Sequence, residues 1–79
     1  MSKVEQERNL GEQPIAAMLA AHGLSHHDVV AASAELMTHK MVARACKGRR
    51  LTHNARHKVL RAVVAAMQKD CALSDLFNY

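Results

Sequence analysis

The sequence predicts an all-α domain, a compact bundle of four to five short helices. Fourteen of the 79 residues are alanine, a strong helix former, and the chain has one phenylalanine, one tyrosine and no tryptophan. The apolar residues recur at helical spacing, and capping residues or glycines stand where the segments begin and end. This length is enough for one small domain and too little for two.

The first helix follows a segment without a clear apolar period. We therefore expect residues 1–12 to form a flexible tail and residues 13–79 to form the single helical domain. Pro14 suits the first turn of a helix, and Gly23 stands where a left-handed residue closes one, with Leu24 folding back on the last turn. The inward face of this helix is expected to comprise Ile15, Met18, Leu19 and a partly buried His22.

The second and third helices are predicted from their capping residues. Residues 25–28, Ser-His-His-Asp, are typical of a capping box that opens a short helix. The third helix begins either at Ser33 or, after a turn, at Thr38, and both alternatives leave residues 38–47 helical before Gly48 ends it. Its inward residues are expected to be Leu36 or Met37, then Met41, Val42 and Ala45.

The fourth helix has the clearest amphipathic pattern. Thr52 can cap it, and its polar side carries His57, Lys58, Arg61 and Lys69. Its apolar stripe comprises Val59, Leu60, Val63, Val64 and Met67. Ser74 is then expected to cap a short terminal turn that packs Leu73, Leu76 and Phe77 on the domain.

Positive charge is concentrated in one part of the chain. The net charge is +4, but residues 1–35 carry a net charge of −3, whereas residues 36–69 contain nine Lys and Arg and no Asp or Glu. A segment with so many cations and no carboxylate favours binding to a polyanion. The plainer alternative is a helix face that is simply solvated.

The order of these pieces resembles the helix-turn-helix domain of the lambda-repressor and Cro class over about residues 13–77. The matching segments are Gly23-Leu24-Ser25, Asp28-Val29-Val30, residues 38–47, Gly48-Arg49-Arg50, residues 52–67 and residues 73–77. The segment from Lys47 to Thr52 also resembles small uncharacterised bacterial proteins, and that resemblance implies no function.

The resemblance implies a protein that binds double-stranded DNA, a small transcriptional regulator, with residues 38–47 in the major groove. The residues that would contact base edges are Thr38, His39, Lys40, Ala43 and Arg44. Lys40 and Arg44 would suit guanine, since long cationic donors match its O6 and N7 acceptors. The residues that would contact phosphates are Lys47, Arg49, Arg50, Arg56 and Lys58.

The sequence departs from that family between its two central helices. From Val29 to Met37 the chain is longer than the tight turn of the family, and Ala34-Glu35 replaces the usual glycine. The angle at which the third helix meets DNA is therefore left open.

Other classes of function find less support in the residues. No nucleophile and base arrangement or glycine-rich phosphate loop is evident, so we expect neither an enzyme nor a cofactor. His53 and His57 share a helix face but lack a third ligand, so no metal is expected, and Cys46 and Cys71 are expected to be reduced thiols. No apolar run approaches the ~20 residues that cross a bilayer, and no signal peptide is evident, so we expect a cytoplasmic protein without a membrane partner.

Two alternatives to duplex DNA remain. RNA offers the same phosphates, although the scarcity of aromatic residues argues against recognition of single strands by stacking. The other alternative is a protein-interaction or homodimerisation module without DNA binding, in which Leu76, Phe77 and Tyr79 contact the partner. DNA binding predicts that the cations lie together on one surface beside an exposed third helix. The protein-interaction module predicts cations scattered around the domain.

Overall fold

Helices form the framework of residues 10–79, the part of the chain that the computed structural model describes. Within these residues there are five helices: α1 (Pro14–Ala21), α2 (His26–Ala32), α3 (His39–Lys47), α4 (His53–Met67) and α5 (Leu73–Leu76). The predicted all-α class is confirmed. No helix in this part of the chain combines the length and the apolar character needed to cross a bilayer.

Side-chain caps begin three of the helices. At α2 the Ser25 hydroxyl accepts the Asp28 N–H at 3.2 Å and the Asp28 carboxylate accepts the Ser25 N–H at 2.8 Å, which is the predicted capping box. Thr38 and Thr52 cap α3 and α4 through their hydroxyl oxygens. Ser33 does not cap α3, because its hydroxyl closes a local turn with the backbone of Glu35.

Glycine closes α1 and α3, as predicted. Gly23 has φ +66°, and the Leu24 N–H donates to the Leu19 carbonyl at 2.9 Å, which is the bond expected of a Schellman motif. Gly48 has φ +88°, and the next N–H, of Arg49, donates to the Arg44 carbonyl at 3.0 Å.

One core unites all five helices. α2 lies against α3 and α4, α1 contacts α3 and α5, and α4 contacts α3 and α5. The buried apolar residues at its centre are Ile15, Leu19, Val29, Met37, Val42, Ala45, Cys46, Val59, Ala62, Val63, Leu76 and Phe77. Small and branched side chains thus supply most of the packing, as the composition predicts.

The inward face of α4 differs from the predicted stripe. Val59 and Val63 are fully buried with Ala62, whereas Leu60 and Met67 are only partly buried at the edge of the core. The buried face of α4 therefore runs through Val59, Ala62 and Val63.

The predictions for Ser74 and His22 were wrong, and the choice between Leu36 and Met37 is resolved. α5 begins at Leu73, so Ser74 does not cap it, and the Asp75 carboxylate instead accepts the Ala72 N–H at 2.8 Å. His22 is exposed at the end of α1 rather than partly buried. Met37 is buried and Leu36 is 87% exposed, which settles the choice between them.

The ordered contacts begin before the predicted domain boundary. Residues 1–9 of the predicted tail lie outside the described residues, but Leu10 donates its N–H to the Gly48 carbonyl at 2.7 Å. Gln13 is almost fully buried, and its side-chain amide donates to the Gly11 carbonyl and accepts the Asn78 N–H at 2.8 Å. This one amide therefore joins the start of the domain to its final residues.

Candidate nucleic-acid interface

α3, the helix expected to lie in the major groove, presents most of its predicted contact residues to solvent. Thr38, His39, Lys40 and Arg44 are exposed along α3, and Ala43 is partly buried. The opposite side of the helix packs into the core through Val42, Ala45 and Cys46. An exposed polar side and a buried apolar side are what a helix needs in order to lie between a domain and a ligand.

Two grooves bring the cations of α3 together with those of the link that follows it, residues 48–52. A groove of about 290 Å³ between α3 and the start of α4 is lined by Thr38, Lys40, Arg44, Arg50 and Thr52 over apolar side chains. A second groove, of about 280 Å³, is lined by Arg44, Arg49, Arg50 and Leu51. Arg44 and Arg50 line both grooves, so the two form one continuous basic surface.

Tyr79 holds the link between α3 and α4 in place. Its hydroxyl accepts the Leu51 N–H at 3.0 Å and donates to the Arg49 carbonyl at 3.3 Å. These bonds fix the backbone on both sides of Arg50. The position of the Arg50 side chain at the two grooves therefore depends on the far end of the described chain.

Arg56 and Lys58, two of the predicted phosphate contacts, are partly buried and do not line the two grooves. The Arg56 guanidinium donates to the main-chain oxygen of Tyr79 at 2.6 Å and lies 4.8 Å from the centre of its ring, a cation–π contact. Arg56 thus helps to hold Tyr79 on the domain. Lys58 is partly buried, and its charge contributes to the lowered pKa of the Glu35 carboxyl.

Glu35 fixes the long turn between α2 and α3. Both of its carboxylate oxygens accept hydrogen bonds from the Arg61 guanidinium, at 2.7 and 2.9 Å. This bidentate pair lowers the pKa of the Glu35 carboxyl and raises that of the Arg61 guanidinium. Glu35 therefore ties the turn to α4, and Arg61 is engaged within the protein.

The first turns of α2 and α3 meet at a pair of histidines. His27 Nδ1 and His39 Nε2 lie 3.3 Å apart, and the two rings are nearly parallel. In this hydrogen bond one ring nitrogen donates and the other accepts. His39 is therefore already partnered within the protein.

The remaining histidines and the cysteines form no candidate centre. His53 and His57 have ring centroids 4.3 Å apart, but in residues 10–79 no group of three or more His, Cys, Asp or Glu could hold a metal. Burial raises the pKa of the Cys46 thiol, and also that of Cys71. Both are free thiols.

Comparison with protein-family models, with curated proteins and with solved structures finds no match to this chain. The candidate interface therefore stands on its own geometry.

Leu76, Phe77 and Tyr79, which the partner-binding alternative invokes, make contacts within the domain, and the predicted packing of Leu76 and Phe77 on the domain is observed. Leu76 and Phe77 are 0% and 2% exposed, and Tyr79 is engaged with Phe77, Arg56 and the link. Leu76 and Phe77 thus belong to the core, and Tyr79 belongs to the contacts that hold the link. A hydrogen bond from Tyr79 could have been predicted, since a tyrosine hydroxyl generally has a hydrogen-bond partner when it lies against the domain.

Proposed function

We propose that this protein binds double-stranded DNA through α3 and the link that follows it, as a small regulator of the helix-turn-helix type. One observation carries the proposal. Five exposed cations follow one another along α3 and the link without an ion pair to any carboxylate in residues 10–79. This α3–link surface comprises Lys40, Arg44, Lys47, Arg49 and Arg50.

The arrangement of the surface favours a polyanionic ligand over a single charged side chain of a protein partner. Arg44 and Arg50 line two adjacent grooves, with Lys40 at one and Arg49 at the other. Phosphates spaced along a nucleic-acid backbone can occupy neighbouring positions on such a surface and release counterions at each of them. A duplex also suits a helix with one exposed face, since an α-helix fits the major groove.

The experiment compares two variants that lose the same charge. Arg49→Ala removes one cation of the α3–link surface, and Lys69→Ala removes one exposed cation from outside it. Fluorescence anisotropy with a labelled random duplex should show weaker binding for the first variant and near-parental binding for the second. An equal loss in both would reduce the proposal to nonspecific attraction by net charge.

Competition with other nucleic acids tests the choice of duplex DNA. Unlabelled duplex DNA should displace the labelled duplex at lower concentration than duplex RNA or single strands, because α3 cannot enter the deep, narrow major groove of RNA. Preference for duplex RNA would overturn the DNA assignment.

A further inference from the structure

The groove between α3 and the start of α4 has the composition of a phosphate-binding site. We propose that this groove, hereafter the α3–α4 groove, binds one phosphate group and that Lys40 and Arg44 are phosphate contacts rather than readers of bases. For a duplex as the ligand, the assignment rests on the proposed function. Phosphate binding by the groove itself does not depend on that function.

Charge is the first argument. Lys40 and Arg44 come from α3 and Arg50 comes from the link, and all three line one groove that no carboxylate lines. Three cations around one concavity repel one another unless an anion lies between them. A phosphate, with its several acceptor oxygens, can satisfy the guanidinium forks and the ammonium group together.

Hydrogen-bonding capacity is the second argument. The hydroxyl oxygens of Thr38 and Thr52 accept backbone N–H groups as helix caps, at 3.1 Å in both cases. A hydroxyl that accepts a bond in this way still has its own proton to donate. Both threonines line the groove, so they add two neutral donors to the three cations.

Size and position are the third argument. The groove is open to solvent and, with a volume of about 290 Å³, has room for a phosphate group. Lys40 and Arg44 share this groove with Arg50, so we assign them to the backbone side of the interface. Of the predicted base contacts, only His39 and Ala43 do not line this groove.

A comparison of Arg44→Ala with Lys47→Ala tests the site. Both residues are exposed cations of α3, but Lys47 does not line the α3–α4 groove. At constant ionic strength, NMR titration of the parent with pyrophosphate should shift the amides of Thr38, Arg50 and Thr52. Lys47→Ala should retain this response and Arg44→Ala should lose it, with urea melts showing that both remain folded. No response in the parent, or equal responses in both variants, would overturn the site.

Duplex binding then identifies the source of the phosphate and the role of the two residues. On a panel of unrelated duplexes, Lys40→Ala and Arg44→Ala should each weaken binding by a similar factor and make the slope of log K against log salt shallower by about 0.9. A loss confined to one sequence would make them base contacts and overturn the inference while leaving DNA binding intact. A response to pyrophosphate without any duplex binding would support the groove as the site of a small phosphorylated ligand and overturn the proposed function.

Discussion

Replacement of Gly48 by alanine tests the junction on which the basic link depends. Gly48 has φ +88°, and a Cβ built on it would overlap the Gly11 carbonyl oxygen and lie 2.6 Å from the carbonyl carbon. An alanine in a left-handed conformation costs about 1–2 kcal/mol. Displacing Gly11 would also disturb the bond from Leu10 N–H to the Gly48 carbonyl and the bond from Gln13 N–H to the Cys46 carbonyl, each with a net contribution of about 0.5–1.5 kcal/mol.

The expected loss of stability for Gly48→Ala is therefore about 2–5 kcal/mol, a large share of what a domain of this size has. Gly23→Ala is the matched control, since Gly23 also has positive φ but no atom lies within 4 Å of its added Cβ. The control should lose only the conformational cost of about 1–2 kcal/mol. Urea unfolding followed by circular dichroism measures both. Equal losses in the two variants would refute the argument from the Gly11 contact.

Three further predictions concern the core, the long turn and the thiols. Leu76→Ala should lower the free energy of unfolding by about 2–5 kcal/mol because Leu76 is fully buried. Leu36→Ala, at an 87% exposed position, should leave the urea midpoint unchanged. The reverse order would refute the core assignment. Because its ion pair lowers the pKa of the Glu35 carboxyl in the folded state, the pair stabilises above the ordinary pKa and is lost as the pH falls through the folded value. Parent and Glu35→Gln should thus differ in thermal midpoint at pH 7 and converge as the pH falls below the ordinary glutamate pKa and through the lowered folded value. A difference that stays constant with pH would contradict this. Cys71 should react with iodoacetamide before the buried Cys46, as mass spectrometry of the native protein can show, and the opposite order would contradict the burial of Cys46.

Local signals predicted most of the helix boundaries. Ser25, Thr38 and Thr52 cap their helices, and Gly23 and Gly48 close theirs, because these motifs act through bonds within a few residues. Such bonds form in the same way whatever surrounds the helix. The boundaries are therefore the part of the fold most accessible from sequence alone.

The long-range contacts could not be read from the sequence. The Glu35 and Arg61 pair, the buried amide of Gln13 and the Tyr79 hydroxyl on the link each join residues far apart in the chain. Their partners depend on how the helices pack, which periodicity does not specify. The contact between Arg56 and Tyr79 is also long-range, so the sequence around Arg56 does not predict it. The sequence therefore predicts a phosphate contact for Arg56 instead.

The candidate site was predictable in its charge and less so in its geometry. The absence of acids from residues 36–69 predicts a basic surface directly. Which cations are free is decided by tertiary contacts, and these engage Arg61 and Arg56 internally while Lys40, Arg44 and Arg50 share one groove.

The salt dependence of duplex affinity tests the central claim most directly. If four or five cations of the α3–link surface meet phosphates, log K against log salt for the parent protein and a random duplex should have a slope near −4, since each contact contributes about −0.9. Fluorescence anisotropy across a salt series that begins at ~50 mM, within the range where nonspecific binding is measurable at micromolar protein, gives this slope. Binding through the α3–link surface predicts a slope near −4. Undetectable binding at the lowest salt, or binding that salt does not weaken, would contradict it.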